Sequence, residues 1–321
     1  MEHRLLCVAT SVQGQAPPAN AITKIEAVRS THNPLISFET SASLGNNING
    51  PSVIRVPKWV NNPLGKYYLY FAHHAGKSIR LAYADSPEGP WKIHEPGVLP
   101  LERATAFFSH VASPDVHVDD TQHEIRMYFH GPVRDRRKQW TGIALSKDGL
   151  HFEPSTTILG NAYFRVFEWQ GQHYAIGKDG DSRGGQLYRS NNGLTEFERG
   201  PLLLPAMRHA AVVRRGDVLV VFFTQVGDAP ERILATTIQL TGDWHQWAPS
   251  APIEVLRPQA PYEGVERPIT PSKNGDAIDV QQLRDPCAFE DRGTLYLYYA
   301  YGGEMGIAVA KLRMELRRAG P

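Results

Sequence analysis

SHVASPDVHVD, residues 109–119, begins with polar residues and continues as a short β-prone run after Pro114. A partner run, Ile125-Arg126-Met127-Tyr128-Phe129, follows a polar turn and ends at His130-Gly131. Two such runs joined by turn residues predict a β-hairpin. The polar residues where the first run begins are therefore the ones to inspect for chemistry.

The same plan recurs five times along the chain, and each copy has an inner strand, a partner and a third strand. The inner strands begin at Pro51, Pro114, Phe164, His209 and Pro286. In four copies the third strand is followed by a polar turn with glycine and an aromatic residue, as in SKDGLHF at 146–152. Glycine suits the positive-φ corner of the turn, and the aromatic residue begins a fourth, outer strand.

Four strands repeated about five times predict an all-β fold, a five-bladed β-propeller with four-stranded blades. The last copy lacks its own outer strand, so we expect residues 24–36 to supply it and close the ring, which hides the sheet edges. The propeller domain is predicted to span 24–321, after a flexible lead-in at 1–23. A β-sandwich is the alternative, but it does not explain the repeated polar turn.

The composition excludes several classes of function. Lysine plus arginine, 34, nearly equals aspartate plus glutamate, 33, so no nucleic-acid surface is predicted. No apolar run approaches the roughly 20 residues of a membrane span. Cys7 and Cys287 lie near opposite ends and indicate neither a disulfide framework nor a thiolate metal site. The short apolar run after Arg4 favours a cytoplasmic location, with secretion left open.

The histidines show no tight metal-ligand spacing, so no cofactor is predicted. A structural ion at the centre of the ring stays open. The oligomeric state is left undetermined by the sequence.

One interval between inner strands, from His209 to Pro286, is longer than the others and contains an excursion at 249–283. Long loops with their own charged and aromatic residues are usually functional or disordered. Because this one enters the last blade directly before Arg284-Asp285, it is predicted to be a wall of the site.

In a propeller the inner strands run in the same direction, so their first residues meet at one mouth of the central channel. The loops between second and third strands reach the same mouth. From the strand starts we expect Asn49, Asp115, Arg165, His209, Arg284 and Asp285 there, and from the loops His73, His74, His130, Lys178, Gln225 and Glu304. Asp115 and Asp285 stand out because each lies beside a proline at a strand start.

The repeats resemble the five-bladed glycosidases of glycoside hydrolase family 43, through Pro51-Ser52-Val53-Ile54, Ser113-Pro114-Asp115-Val116 and the aromatic strand pairs. In that family an Asp opening blade one is the general base, an Asp after a Pro in blade two tunes the acid, and a Glu opening blade three is the general acid. The resemblance gives Asp115 the second role.

The other two family positions carry no carboxylate in this sequence. Blade one reads Asn49-Gly50-Pro51, and blade three reads Asn161-Ala162-Tyr163-Phe164. Arg284-Asp285-Pro286 resembles the Arg-Asp-Pro triplet of related fructan-cleaving propellers, but here it opens the fifth blade. The resemblance therefore implies the fold, and leaves the standard mechanism without its base and acid.

Glycoside hydrolysis normally needs one protonated and one ionised carboxyl group. Asp115 and Asp285 are the first candidates, and the proton donors considered are Glu263, Glu266 and Glu304, since burial against tyrosine would raise a carboxyl pKa. Each also has a structural interpretation as a strand cap, an arginine partner or a solvated loop residue. Side chains that could orient sugar hydroxyls or an acidic substituent are Asn49, His73, His74, His110, His130, Arg165, Lys178, His209, Gln225, Glu263 and Arg284.

These residues predict a protein that acts on carbohydrate, a glycosidase with its active site in the central funnel. A carbohydrate-binding propeller without catalysis is the alternative, supported by the missing base and acid. A polysaccharide lyase with a His or Tyr base and an Arg for a uronate is the third. Reducing ends, unsaturated uronides or neither would distinguish the three.

Overall fold

The computed structural model describes residues 22–134, 136, 138–180 and 184–317, and it is a ring of five antiparallel sheets. The five-bladed propeller predicted from the repeats is confirmed. Blade one contains β3 (Asn49–Arg55), β4 (Tyr67–Ala72), β5 (Ser78–Ala84) and β6 (Lys92–Pro100). Blade three contains β12 (Arg165–Trp169), β13 (Gln172–Lys178), β14 (Gly185–Ser190) and β15 (Glu198–Leu203). Blade four contains β16 (Met207–Arg215), β17 (Val218–Gln225), β18 (Ile233–Gln239) and β19 (Ile253–Leu256).

Blades two and five each fill their outer position with two segments. Blade two contains β7 (Ala112–Asp119), β8 (Glu124–Pro132) and β9 (Gln139–Ser146), and β9 pairs with both β10 (Glu153–Pro154) and β11 (Gly160–Asn161). Blade five contains β20 (Ile278–Asp291), β21 (Thr294–Gly303) and β22 (Gly306–Leu316). Both β1 (Ile22–Arg29) and β2 (Ile36–Ser37) pair with β22, so the predicted closure by the N-terminal segment is confirmed.

Strand β1 begins at Ile22, two residues before the predicted domain boundary, and the rest of the proposed lead-in lies outside the described residues. Three short 3-10 turns, Ala42–Leu44, Trp244–Gln246 and Pro261–Glu263, are the only helical segments in the part of the chain that the structure describes. Within that part, no helix is long and apolar enough to cross a membrane.

The second strand of each blade is an apolar run because it is covered on both faces by its neighbours. All six residues of β4, Tyr67–Ala72, are buried. Five hydrophobic clusters hold the ring together, and each joins two adjacent blades. The core is therefore distributed around the ring between the blades.

The predicted polar turns also connect neighbouring blades. Ser146 Oγ accepts the backbone N–H of Gly149, whose φ is 75°, and Tyr70 of blade one donates its hydroxyl to the Gly149 carbonyl at 3.0 Å. The turn of blade three repeats this arrangement, since Tyr128 of blade two donates to the Gly193 carbonyl at 2.8 Å. Each buried tyrosine hydroxyl thus finds its partner in the next blade.

Candidate functional site

A cavity of about 400 Å³ opens at the mouth of the ring where the inner strands begin. Eight of the residues predicted for the site line it: Asn49, His74, His110, His130, Lys178, His209, Asp285 and Glu304. Other lining residues were not among the predicted set, notably Ser113, Tyr163 and Asn274. The volume suits a small ligand.

A backbone irregularity at the start of the inner strands directs side chains into this cavity. Gly50, Ser113, Tyr163 and Asp285 all have φ between 45° and 70°. In blades one, two and five the residue lies where the pairing register of the inner strand shifts, as at a β-bulge. Left-handed non-glycine residues are strained and occur often at functional sites.

Glu304 is the anchored carboxylate of the cavity. Its Oε2 accepts from Asn47 Nδ2 at 2.7 Å and Asn49 Nδ2 at 2.9 Å, and lies 3.4 Å from His74 Nδ1. Its Oε1 accepts from Arg284 Nη1 at 3.0 Å. Burial opposes ionisation, but the hydrogen bond from His74 and the charges of His74 and Arg284 lower the pKa of Glu304 to about 2. Glu304 is therefore ionised throughout the physiological range.

Asp285 keeps its proton to a much higher pH than Glu304 does. Burial, and then the charge of Glu304, raise the pKa of the Asp285 carboxyl to about 6. Tyr163 donates its hydroxyl to Oδ1, and His209 Nε2 lies 3.5 Å from the same oxygen. Among the described residues, Oδ2 has no hydrogen-bond donor, so it is the oxygen that can carry the proton.

Tyr163 lines the cavity, and its ring lies between two histidine rings. Its ring centroid is 5.5 Å from that of His130 and 5.1 Å from that of His209. The Arg165 guanidinium lies 4.1 Å from the same ring centroid. Burial lowers the pKa of both histidines well below the usual value, and nearby cations lower it further. Both imidazoles are therefore neutral at neutral pH.

Glu231 holds the side chains of Arg208 and Arg284 in place. This residue was not identified from the sequence. It is fully buried, and its Oε2 accepts from Ser272 Oγ at 2.7 Å, Arg284 Nε at 3.0 Å and Arg208 Nη1 at 3.2 Å. A signal for it exists in the sequence, because Glu231 and Glu304 each lie two residues before the third strand of their blade.

The excursion forms part of the cavity wall through Asn274 and Gly275. Arg208 holds this segment by donating to the carbonyls of Lys273 and Gly275 and, at 3.2 Å, to Ser272 Oγ. The guanidinium groups of Arg208 and Arg284 therefore both donate to acceptors of the protein itself.

Asp115 is not brought together with Asp285. It lines a second cavity of about 440 Å³ formed by the later parts of the inner strands. His117 Nε2 lies 2.8 Å from its Oδ2, and that oxygen also accepts the Val166 N–H at 2.8 Å. Although burial alone would raise it, the pKa of Asp115 is lowered by the charges of His117 and Arg165. Asp115 thus forms an ion pair with His117 of its own strand and accepts a hydrogen bond from blade three.

Six other predicted residues also lie outside the lining of the first cavity. Arg165 and Arg284 are buried beneath it, with Arg165 donating to the Ala210 carbonyl at 2.9 Å. Glu263 is buried in an ion pair with Arg29, and its neighbour Glu266 is exposed. The last two are His73 and Gln225, which bond to nearby backbone. Within the described residues, no cluster of three His, Cys, Asp or Glu could hold a metal ion.

Comparison with known proteins gives one close relative and many structural neighbours. No protein-family model matches the sequence. An "Uncharacterized protein R118" of Acanthamoeba polyphaga mimivirus is 38% identical over 302 residues, which cover 83% of each chain.

The solved structures that resemble the chain include family 43 glycosidases. A glycosyl hydrolase from Bacteroides ovatus superposes with a TM-score of 0.62 at 13% identity, covering 91% of this chain and 94% of that one. A family 43 enzyme from Xanthomonas citri gives 0.59 at 14% identity, covering 90% and 91%. CoXyl43, a β-xylosidase/α-arabinofuranosidase from a compost metagenome, gives 0.58 at 13% identity, covering 91% and 98%. At these identities the likeness establishes the fold.

Proposed function

The chain belongs to the family of the mimivirus protein R118, and from its fold and its cavity we propose that it is a glycoside hydrolase. The observation that carries this proposal is the pair Asp285 and Glu304 in one cavity, with pKa values of about 6 and about 2. Two carboxyl groups whose environments separate their pKa values in this way suit the acid and the ionised partner of glycoside cleavage.

In the proposed reaction, Asp285 donates the proton on Oδ2 to the glycosidic oxygen as the bond from that oxygen to the anomeric carbon breaks. Glu304 supplies the ionised carboxylate that stabilises the positive charge developing on the sugar. Water then adds its hydroxyl to the anomeric carbon, and its remaining proton restores the acid.

The positions that lack carboxylates also support the proposal. Asn49 and Tyr163 stand where the resemblance to family 43 expects the base and the acid. Asn49 donates to Glu304, and Tyr163 donates to Asp285. Both residues that replace the expected carboxylates are therefore hydrogen-bonded to carboxylates from blade five, which occupy the same cavity.

The protonation of Tyr163 argues against its use as the base of a lyase. Burial, and then the charge of Asp285, raise the pKa of the Tyr163 phenol well above its usual value. A phenol held protonated in this way is a poor base for abstracting a proton from a uronate. Tyr163 instead serves as a donor to the acid.

The test is Asp285→Asn assayed on two aryl glycosides of the same sugar, one with a poor leaving group and one with 2,4-dinitrophenolate. Loss of acid assistance should reduce turnover of the first by about 10² to 10⁴-fold and affect the second much less, because that leaving group needs no proton. Glu304→Gln should reduce both. Glu266→Gln, a change at an exposed glutamate, is the matched control and should keep wild-type turnover.

Equal losses on both substrates in Asp285→Asn would contradict its assignment as the acid. Sugar binding without turnover of any glycoside by the wild-type protein would favour the binding propeller. A product with the ultraviolet absorbance of an unsaturated uronide would favour the lyase.

A further inference from the structure

The cations at the cavity differ in whether the protein neutralises them. Arg208 pairs with Glu231 at 3.2 Å, and Arg284 pairs with Glu231 at 3.0 Å and with Glu304 at 3.0 Å. His74 lies beside Glu304. Buried charges are ordinarily paired in this way, because an unpaired one is costly.

Lys178 has no carboxylate partner among the residues that the structure describes. It ends strand β13, lines the cavity and is half-buried. Among the residues that the structure describes, its only hydrogen-bond acceptor is a neutral one, Asn274 Oδ1 at 2.8 Å. Burial, and then the charge of Arg208, lower the pKa of the Lys178 ammonium group to about 8, so the group is still mostly charged at neutral pH.

Unsatisfied polar atoms accompany Lys178 in the same cavity. His130 is 8% exposed and Asn49 is 4% exposed, and both line the cavity. Within the described chain, His130 Nδ1 and Asn49 Oδ1 have no hydrogen-bond partner. Buried polar atoms without partners are rare in native proteins and indicate that a ligand or water completes them. Sugar hydroxyls can donate to one such atom and accept from the next.

The carboxyl groups and the basic side chains of the cavity come from different blades. Asp285 and Glu304 both come from blade five, whereas Lys178 and His130 come from blades three and two. A sugar whose glycosidic oxygen faces Asp285 would therefore turn another part of its ring toward the ammonium group. This placement of the sugar rests on the proposed function.

We propose that the cavity takes an acidic sugar, and that Lys178 binds its negatively charged substituent. The substituent is a carboxylate, as in a uronic acid, or a sulfate ester, since both accept a charge-assisted hydrogen bond from an ammonium group. Asn274 of the excursion holds the ammonium group in position, and the two unsatisfied atoms receive the hydroxyls.

The experiment measures binding of free glucuronate, glucose 6-sulfate and glucose to the wild-type protein by calorimetry, so that no turnover is needed. The better of the two acidic sugars should bind at least tenfold more tightly than glucose. Lys178→Met should lower this ratio by about 10 to 100-fold, which is the usual range for a hydrogen bond to a charged group. Lys92→Met, which removes the same charge from an exposed site on β6, should leave the ratio unchanged.

Glucose binding as tightly as both acidic sugars would overturn the proposal, and so would a preference that survives in Lys178→Met. Whichever acidic sugar binds more tightly identifies the substituent. Lys178-dependent binding of an acidic sugar without cleavage of any glycoside would support this inference and refute the proposed hydrolase, so the two can fail separately.

Discussion

Asp285 combines a buried position with a carboxyl group whose pKa is raised from 3.8 to about 6. Between these two values the folded protein keeps a proton that the unfolded chain releases. The free energy of unfolding therefore falls as the pH rises through this window, and above about pH 6 the full cost of the buried charge is present. The environment that raises the pKa of Asp285 therefore lowers the stability of the folded protein at higher pH.

Asp285→Asn should consequently be stabilised relative to the wild type at pH 8 and lose that gain at pH 4. Two pKa units correspond to about 2–3 kcal/mol between the two conditions. Urea denaturation at both pH values measures the difference. Asp85→Asn, at an exposed turn, should show little dependence on pH in the same comparison. A gain of the same size at both pH values would show that the Asp285 charge is not the cause.

Single residues also show where sequence reasoning succeeded and where it could not. Asp285 directly precedes Pro286, whereas Asp115 directly follows Pro114. This difference of two positions places Asp115 after the register shift of β7, where regular pairing with β8 has resumed. The residue of blade two that corresponds to Asp285 is Ser113, which does line the cavity. Aligning the residues before the prolines would have placed Ser113 in the cavity. The pairing of Glu231 with two arginines, in contrast, depends on side-chain packing that no spacing in the sequence reveals.

At the scale of elements, Arg29 of the closing strand attaches the excursion through the Glu263 carboxylate, the Gln259 side chain and the Arg257 carbonyl. Both oxygens of Glu263 accept from Arg29 of β1, at 2.8 and 2.9 Å. Tyr299 donates its hydroxyl to Oε1 at 2.8 Å, and the N–H of Gln259 donates to Oε2 at 2.7 Å. Glu263 was predicted as a site residue, and these contacts instead give it the task of positioning the wall that contains Asn274.

Glu263→Gln should therefore loosen the excursion without unfolding the blades. The substitution keeps the size of the side chain but removes the charge that Arg29 and the backbone N–H groups require, a loss of about 3 kcal/mol for a buried pair. Hydrogen exchange at 264–277 should become at least tenfold faster, with exchange in β17 unchanged. Glu266→Gln, three residues along and exposed, is the control. Unchanged exchange in the excursion would contradict this account.

The elements themselves were predictable because each one has a local cause. The second strands are runs such as Tyr67–Ala72, buried on both faces, and the turns need glycine at positive φ, as at Gly149 and Gly193. The split outer strand of blade two was not predictable, since β10 and β11 are two residues each and depend on pairing with β9. Short segments held by tertiary pairing have no periodicity of their own.

The whole molecule depends on closing the ring, because a propeller of five blades stays closed only if the last blade is completed. Strand β1 covers the edge of β22 from Ala310 to Leu316 and brings Arg29 to Glu263. Without β1 that edge would present unpaired N–H and C=O groups. The N-terminal strand is thus a part of blade five supplied from the far end of the chain.

Removal of residues 1–30 should accordingly lower the melting temperature by about 10 °C, the effect of losing several kcal/mol in a protein of this size. Aggregation of the truncated protein should rise with its concentration, since the exposed edge can pair with another copy. A synthetic peptide of the β1 sequence, ITKIEAVR, should restore the midpoint by adding a strand in trans, and a peptide of the same residues in scrambled order should not. A truncated protein that melts with the full chain, or equal rescue by both peptides, would show that the register of β1 on β22 does not close the ring.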